Sequence, residues 1–161
     1  MNTKSSVGGH GINKNWLWVW FWRATLVVSI IYAWYCFYVP SNNIAWADNF
    51  ASAQRQAAQT GKPIVLFFTG DWCVPCKIMK RQVWADDQVR EIVNAEFIPV
   101  TIDVDTPGNT SLLKRYDVGV TPITIVTDSD GNALHWRVGG ISKTEFIDLL
   151  RSAGPPLINN L

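Results

Sequence analysis

Apolar residues are distributed along the chain as one long uninterrupted run followed by several short ones. The long run covers residues 16–39, where Arg23 is the only charged side chain. A helix over this run would be roughly 36 Å long, and the hydrocarbon core of a bilayer is about 30 Å thick. A buried helix of a soluble protein is the alternative, but such a helix carries a polar stripe, which this run lacks. The pattern therefore predicts a transmembrane helix over residues 16–39.

The flanks of this run predict its orientation. Its first turns are rich in tryptophan, whose ring suits the membrane interface, and Arg23 is close enough to that end to extend its charge to the headgroups. Residues 1–15 contain Lys4 and Lys14 and no acidic side chain, whereas the first basic residue after the run is Arg55. Because basic residues concentrate on the cytoplasmic side, residues 1–15 are expected to form a disordered cytoplasmic tail. The remainder of the chain would then lie outside the cytoplasm.

A cleaved signal peptide is the competing interpretation of the same segment. Residues 45–47, Ala-Trp-Ala, have the small-x-small form of a cleavage site. The apolar run is longer than the roughly 7 to 15 residues of a signal peptide core, so an uncleaved anchor is preferred. Cys36 lies inside the run and is interpreted as a small apolar side chain that faces lipid or another helix.

The short runs that follow predict one domain of alternating helices and strands over residues 48–161, after a linker and the start of a first strand at residues 40–47. Residues 64–68 are apolar on both faces, as in a parallel strand covered by helices. Residues 123–127 and 133–138 flank a turn sequence and predict an antiparallel hairpin. This alternation predicts an α/β fold, a three-layer α/β/α sandwich preceded by the transmembrane helix.

The remaining elements of the domain follow from local signals. Asp48, Asp86 and Ser142 are expected helix caps, and Ser142 has the spacing of a capping box with Glu145. The glycine and prolines at residues 154–156 should end the last helix. The predicted helices are 49–60, a helix from Cys73 to about Trp84, 87–95, 111–116 and a final helix to about Ser152, with a further strand at 97–103 and a turn at 106–109.

Two cysteines, Cys73 and Cys76, stand between a predicted strand and a predicted helix. With two residues between them at the first helical turn, their sulfurs can form a disulfide, and Cys73 lies near the unpaired N–H groups of the helix start. Those donors and the helix dipole favour thiolate, and a cysteine pKa of about 8.5 can fall to roughly 3.5 to 7.5 in such a motif. This context predicts a redox pair in which Cys73 attacks and Cys76, more buried and one turn inside the helix, resolves.

A zinc site and a structural disulfide are two other interpretations of the pair. Tetrahedral zinc requires about four ligands, and the further candidates, Cys36, His10 and His135, are not paired at ligand spacing. A purely structural disulfide with a two-residue loop would remove little entropy from the unfolded chain. Redox chemistry is therefore the stronger hypothesis.

Length, composition and charge are compatible with this organisation. The chain has 161 residues, of which 48% are hydrophobic, so one ordinary domain and an extra segment can be accommodated. The net charge is +1, and the residues after Val39 carry 11 basic and 13 acidic side chains, a balance of −2. Such a charge balance gives no indication of nucleic acid binding.

The run Trp72-Cys73-Val74-Pro75-Cys76-Lys77 resembles the W-C-x-P-C-K active site of the thioredoxin superfamily. A second signature, Val118-Gly119-Val120-Thr121-Pro122, resembles the loop of that family that carries a cis-proline. Further similarity, over about residues 44–152, is greatest to the thioredoxin-like domains of bacterial envelope proteins, such as the last domain of the DsbD family of membrane disulfide reductases. The resemblance implies a thioredoxin-like fold and a redox-active disulfide as the only cofactor, without metal.

The resemblance also implies roles for individual residues. Cys73 and Cys76 would be catalytic, and Thr121 and Pro122 would bind substrate, with Pro122 in the cis form. Trp72 would cover the site and contact substrate. Two supporting residues are Pro75, which stiffens the turn and removes one N–H donor, and Lys77, which lies either in an electropositive region or on a solvated helix face.

One position departs from the family pattern. Thioredoxins have a buried Asp six residues before the first cysteine, where it helps to deprotonate the second; this chain has Phe67. No His or other cation lies between the cysteines, so strong thiolate stabilisation of the kind seen in dedicated oxidants is not evident. Without the Asp, resolution by Cys76 is expected to be slower or to need water. The lack of strong thiolate stabilisation favours a reductase or electron relay over an oxidant.

The expected function is therefore a membrane-anchored thiol-disulfide oxidoreductase. Its partners would be the disulfides or dithiols of envelope proteins, an electron donor that can be membrane-embedded, and the bilayer around residues 16–39. It would cross the bacterial inner membrane once, with the redox domain in the periplasm. The alternatives are a non-catalytic peptide-binding module and a chaperone for a soft metal such as Cu(I), bound by Cys73 and Cys76.

Overall fold

The structure is a computed structural model that describes residues 14–154. The chain divides into two compact units, Met1–Tyr38 and Val39–Leu161. The predicted disordered tail lies outside the described residues apart from its last two positions. The prolines expected to end the last helix also lie outside them.

One helix, α1 (Lys14–Phe37), makes up the described part of the first unit. Within it, Asn15–Cys36 is long and apolar enough to cross a membrane, with 22 residues and a mean hydropathy of 1.4. Its large side chains are exposed on all sides. Aromatic rings pair along the helix at both ends, with centroids 5.6 Å apart for Trp16 and Trp20 and 5.1 Å apart for Trp34 and Tyr38. The predicted apolar helix is confirmed, and it begins and ends two residues earlier than expected.

The second unit contains a four-stranded sheet and five α-helices within the described residues. Its helices are α2 (Phe50–Thr60), α3 (Val74–Met79), α4 (Asp87–Glu96), α5 (Thr110–Arg115) and α6 (Lys143–Ala153). Its strands are β1 (Ile64–Thr69), β2 (Ile98–Asp103), β3 (Ile123–Thr127) and β4 (Ala133–Val138). A π-helical turn, Lys80–Trp84, continues α3, and a 3₁₀ turn, Pro107–Asn109, precedes α5.

The sheet has the strand order β2-β1-β3-β4. Strand β1 is parallel to β2 and antiparallel to β3, and β3 and β4 form the predicted antiparallel hairpin. Every residue of β1 and β3 is buried, as expected for central strands that have helices on both faces. A bulge in the hairpin shifts the register after Val126.

Each face of the sheet carries its own hydrophobic cluster. One cluster joins Leu66 and Phe68 of β1 to α2 and α5, and the other joins Val65 and Phe67 to α3, α4 and α6. Alternate residues of a strand point to opposite faces, so one strand supplies both clusters. The predicted three-layer α/β/α sandwich is confirmed.

Two details near the start of the domain differ from prediction. The cap of α2 is Asn49 and not Asp48, because the Asn49 side chain accepts a hydrogen bond of 2.9 Å from the Ser52 backbone N–H. The expected first strand is reduced to one parallel bridge between Ala47 and Val100. Immediately before this bridge the backbone pairs with a side chain, since the Ala45 N–H donates to Asn94 Oδ1 at 2.9 Å.

The other expected caps are confirmed. Ser142 and Glu145 form the capping box of α6, with reciprocal hydrogen bonds of 3.3 and 2.8 Å. Asp86 caps α4 by accepting hydrogen bonds from the backbone N–H groups of Gln88 and Val89 at 3.0 and 3.3 Å. Asp86 also contacts Lys143 Nζ at 2.9 Å, which connects the start of α4 to the start of α6.

These contacts predict a pH-dependent contribution of Asp86 to stability. The hydrogen bond from Lys143, together with the two backbone N–H donors, holds the pKa of Asp86 below its ordinary value. Its contribution is therefore complete above the unfolded pKa of about 3.9 and is lost as the pH falls through the lower folded value. We expect Asp86→Ala to lower the free energy of unfolding by about 1 kcal/mol for the cap and up to about 1 kcal/mol for the ion pair.

Asp86→Asn is the matched control, because the amide oxygen can still cap the helix. It should lose less stability than Asp86→Ala at pH 7, and the difference between wild type and Asp86→Asn should shrink below about pH 4. Urea denaturation of the full chain in detergent micelles at several pH values measures both effects. Equal losses in the two variants at pH 7 would contradict a capping role.

Candidate functional site

The two cysteines lie where a central strand gives way to a helix. Strand β1 ends at Thr69, a turn follows, and the Cys73 N–H donates to the Gly70 carbonyl at 3.1 Å. Cys73 is the N-cap of α3 and Cys76 lies in its first turn. The predicted strand, turn and helix around the pair are therefore confirmed.

Cys73 and Cys76 are joined by a disulfide, with Cα atoms 5.2 Å apart. The Cys76 backbone N–H points at the Cys73 sulfur, with a nitrogen to sulfur distance of 3.2 Å. Pro75, between them, has no N–H, so the N–H of Cys76 is the capping donor. This arrangement is asymmetric: the sulfur of Cys73 receives a backbone hydrogen bond at the positive end of the helix.

The cysteines differ less in exposure than expected. Cys73 is 2% exposed and Cys76 is fully buried, and both belong to the hydrophobic cluster that contains Phe67. Cys76 is the more buried of the two, as predicted, but in this disulfide form Cys73 is buried as well. Residues beside the pair, Trp72 and Val74, are instead the exposed ones, so apolar side chains surround the disulfide at the surface.

Trp72 is fixed in place by an aspartate that the sequence reasoning missed. Its indole is 64% exposed, and Nε1 donates a hydrogen bond of 2.8 Å to Asp105 Oδ2. Gly70 makes this arrangement possible, because a Cβ at that position would lie 3.0 Å from Trp72 Nε1 and 3.3 Å from the Asp105 carboxylate. Asp105 follows β2 along the chain, so only the parallel pairing of β1 and β2 brings it to the active-site turn.

The second sequence signature lies next to the same tryptophan. The Thr121-Pro122 peptide bond is cis, as predicted, and the Pro122 carbonyl accepts a hydrogen bond of 2.8 Å from the Gly139 N–H. A hollow of about 90 Å³ is lined by Trp72, Thr121 and neighbouring loop residues. The Thr121 hydroxyl is buried and has no hydrogen-bond partner within the part of the chain that the structure describes. Trp72 and the proline loop therefore form two walls of this hollow, next to the active-site turn.

The supporting residue Pro75 faces a second hollow at the start of α3. Pro75 is exposed, and its Cβ lies 3.9 Å from a Cβ built on Gly140, in the loop that leads to α6. A hollow of about 290 Å³ lies here, lined by Pro75, Met79, Gly140 and adjacent residues. Lys77 is partly buried on α3, and its supporting role remains a prediction.

Phe67 occupies the position where the family pattern has a buried Asp. Its side chain is fully buried and its ring lies 5.3 Å from that of Trp84, measured between centroids. The surroundings of Cys76 on this side are therefore apolar, because a packed aromatic ring stands where the family pattern has a carboxyl group.

A larger hollow of about 450 Å³ lies at the opposite face of the sheet. It is lined by the end of α5 and by β3 and β4, including Tyr116 and Trp136. Burial raises the pKa of Tyr116, and its hydroxyl donates to the Gly131 carbonyl at 2.8 Å. The tyrosine is thus occupied in holding the hairpin turn, away from the cysteines.

The chain matches the family model for a thioredoxin-like domain over residues 50–154. It is 39% identical over 104 residues to the thiol:disulfide interchange protein DsbD of Ralstonia nicotianae, covering 63% of this chain and 17% of that protein. It is 30% identical over 124 residues to DsbD 1 of Pseudomonas aeruginosa, covering 71% of this chain and 21% of that protein. The chain thus spans about a fifth or less of the length of these relatives.

Solved structures show the same fold. The DsbH oxidoreductase superposes with a TM-score of 0.60 and 26% identity, covering 71% of this chain and 86% of that one. The oxidised carboxy-terminal domain of DsbD from Neisseria meningitidis superposes with a TM-score of 0.56 and 28% identity, covering 64% of this chain and 90% of that one. From its fold, its paired cysteines and its matched residues, this chain belongs to the thioredoxin-like domain family, within the thioredoxin superfamily.

Proposed function

We propose that this chain is a membrane-anchored thiol-disulfide oxidoreductase of the bacterial envelope, which reduces or relays electrons to protein disulfides through Cys73 and Cys76. The observation that carries the proposal is the hydrogen bond from the Cys76 N–H to the Cys73 sulfur. This donor stabilises negative charge on Cys73 in the reduced form, as a nucleophilic thiolate requires. The relatives named thiol:disulfide interchange proteins and the DsbH oxidoreductase support the same chemistry.

The proposed reaction proceeds in two thiol–disulfide exchange steps. The Cys73 thiolate attacks one sulfur of a substrate disulfide, forms a mixed disulfide and releases the other substrate sulfur as a thiolate. Cys76 then loses its proton and attacks the Cys73 sulfur, which releases the second substrate sulfur and forms the Cys73–Cys76 disulfide. Two electrons and the Cys76 proton have then left the pair for the substrate, whose second thiolate takes its proton from water, and a dithiol donor must reduce the pair for the next cycle.

The substrate would approach between Trp72 and the proline loop. Because Trp72 is held by Asp105 and the loop by Gly139, both walls are fixed before binding. An extended peptide segment can pair with the backbone at Thr121, which Pro122 orients, as strands add to other proteins. A pre-formed site of this kind reduces the entropy lost on binding.

Attachment to the membrane is proposed from α1 and its flanks. The span has the length and hydropathy needed, and aromatic rings occupy both ends, as at membrane interfaces. Lys4 and Lys14 precede it, which favours a cytoplasmic amino terminus and a redox domain in the periplasm. Cleavage after Ala47 is disfavoured because it would remove Trp46, whose ring packs on Trp84 with centroids 4.7 Å apart.

The order of attack predicts opposite outcomes for the two single cysteine variants. Cys76→Ser keeps the attacking thiol and removes the resolving one, so mixed disulfides with partner proteins should accumulate in cells as reducible bands of higher mass. Cys73→Ser should abolish reduction of insulin and show no such bands. Non-reducing electrophoresis after acid quenching, followed by mass spectrometry, measures the accumulation and identifies the partners.

Equal accumulation in both variants would contradict this order. So would the absence of bands from Cys76→Ser cells in which the protein is folded. A non-catalytic binding module would give the second result and would also leave insulin unreduced by the wild-type chain.

Because Phe67 stands where the family pattern has a proton-accepting Asp, we expect removal of the Cys76 proton to limit the resolution step. A carboxyl introduced by Phe67→Asp would have a raised pKa through burial and could accept this proton near neutral pH. Loss of the buried ring should cost about 3–5 kcal/mol, so resolution must be timed where the variant is still folded. Phe67→Asn is the matched control, with the same size and no titrating group. Stopped-flow resolution that is faster in Phe67→Asp than in Phe67→Asn supports the prediction; equal rates would place the limit elsewhere.

The anchor predicts where the full chain is found. After cell fractionation it should remain in the membrane when washed with alkali, and protease added to spheroplasts should digest the domain while residues 1–15 stay protected. Amino-terminal sequencing tests cleavage directly. A soluble form that begins at Asp48 would establish the signal-peptide interpretation instead.

A further inference from the structure

A third sulfur continues the spacing of the two cysteines. Cys73, Cys76 and Met79 follow one another at intervals of three positions. Positions three apart are neighbours on a helix, so Cys76 has Cys73 on the turn before it and Met79 on the turn after it. All three belong to the same buried cluster, and their exposures are 2%, 0% and 2%. The redox mechanism uses the two cysteines and leaves the thioether without a role.

The direction of the Met79 side chain favours contact with the cysteines. In a helix the Cα–Cβ bond tilts toward the amino terminus, and long side chains lie over the preceding turn. For Met79 that turn is formed by Pro75 and Cys76. In agreement, Met79 and Pro75 line the same hollow of about 290 Å³ at the start of α3. The thioether is therefore directed toward the turn that carries Cys76.

Two thiolates and a thioether form a ligand set for a soft ion. Cysteine and methionine sulfur select Cu(I), whereas zinc sites require about four ligands of the Cys, His or carboxylate type. Within residues 14–154 no three side chains of His, Cys, Asp or Glu come together as a possible metal site. The nearby residues are apolar, including Phe67 and Val83, so hard oxygen ligands are not offered by this cluster.

We propose that the reduced form binds one Cu(I) ion through the sulfurs of Cys73, Cys76 and Met79. Each cysteine releases one proton on binding, the thioether releases none, and copper remains Cu(I), so binding itself moves no electrons. Formation of the site requires reduction of the disulfide by two electrons from a dithiol donor. Cys73 is the less buried of the two cysteines, so we expect the ion to enter on its side.

Copper binding and disulfide exchange then exclude each other, because both use the Cys73 sulfur. Copper should inhibit disulfide reduction, and a chelator should restore it. This inference does not depend on the proposed physiological reaction, since it requires only that the cysteines can be reduced.

The test uses the full chain in detergent micelles, reduced with a phosphine that is then removed without oxygen. Cu(I), supplied as its acetonitrile complex, is titrated against bathocuproine disulfonate, which reports free Cu(I) by colour. Wild type should bind one equivalent, and X-ray absorption should show three sulfur ligands. Met79→Leu conserves volume and should lower Cu(I) affinity by at least about tenfold, the lower end of losses from weakened metal sites. Its sulfur count should fall to two.

Ile78→Leu is the matched control, because Ile78 lines the same hollow and carries no sulfur. It should bind Cu(I) as wild type does. Insulin reduction without copper should be unchanged in Met79→Leu, while the copper concentration that halves this activity should rise.

An equal Cu(I) affinity in wild type and Met79→Leu, or two sulfur ligands in the wild type, would overturn the three-sulfur site. Loss of insulin reduction in wild type without copper would instead reject the proposed function and leave the copper result standing. The two readouts thus separate the two proposals.

Discussion

The active-site half of the domain depends on the packing of the Trp84 indole against three other aromatic rings. This indole is fully buried, and its ring lies 4.7 Å from Trp46, 5.3 Å from Phe67 and 4.7 Å from Phe146, measured between centroids. These partners come from the segment before α2, from β1 and from α6. The Trp84 Nε1 has no hydrogen-bond partner within the described residues, which costs free energy that this aromatic packing must offset. Because Trp84 ends the π-helical turn after α3, the same contact fixes the helix whose start carries Cys73.

With the helix fixed, the chemistry of the pair follows from backbone geometry. Cys73 is both a helix cap and the expected nucleophile, and the two roles need the same feature, an N–H donor directed at its sulfur. Pro75 makes the donor of Cys76 more important by removing its own. The two walls beside the pair are held in place as well. The Gly139 N–H donates to the Pro122 carbonyl, and the Trp72 indole donates to the Asp105 side chain, which is distant in sequence.

Local signals in the sequence predicted much of the fold and the centre of the site. The hairpin strands, the Ser142 capping box and the strand, turn and helix around the cysteines depend on neighbours within a few residues, and all were found. The contacts that were missed join distant parts of the chain. Asp105 reaches Trp72 only through the pairing of β1 and β2. Near the expected first strand, the Ala45 N–H donates to the Asn94 side chain and not to the backbone of a neighbouring strand. The near burial of Cys73 likewise depends on side chains around it and not on its position in the helix.

Burial of both sulfurs would restrict which molecules can react with Cys73. If the proposed substrate path is right, a Cys73 thiolate held below the surface by a backbone donor would be reached only by a partner that enters between Trp72 and the proline loop, and small oxidants in solution would be disfavoured. With Phe67 in place of a carboxylate, the described surroundings of Cys76 provide no acidic group on that side to take its proton. The substrate thiolate released when the mixed disulfide forms is then the proposed proton acceptor, because it is produced next to the pair before Cys76 attacks. The substrate itself would thus supply the base for resolution, and Cys76 would stay protonated until a substrate disulfide has reacted with Cys73.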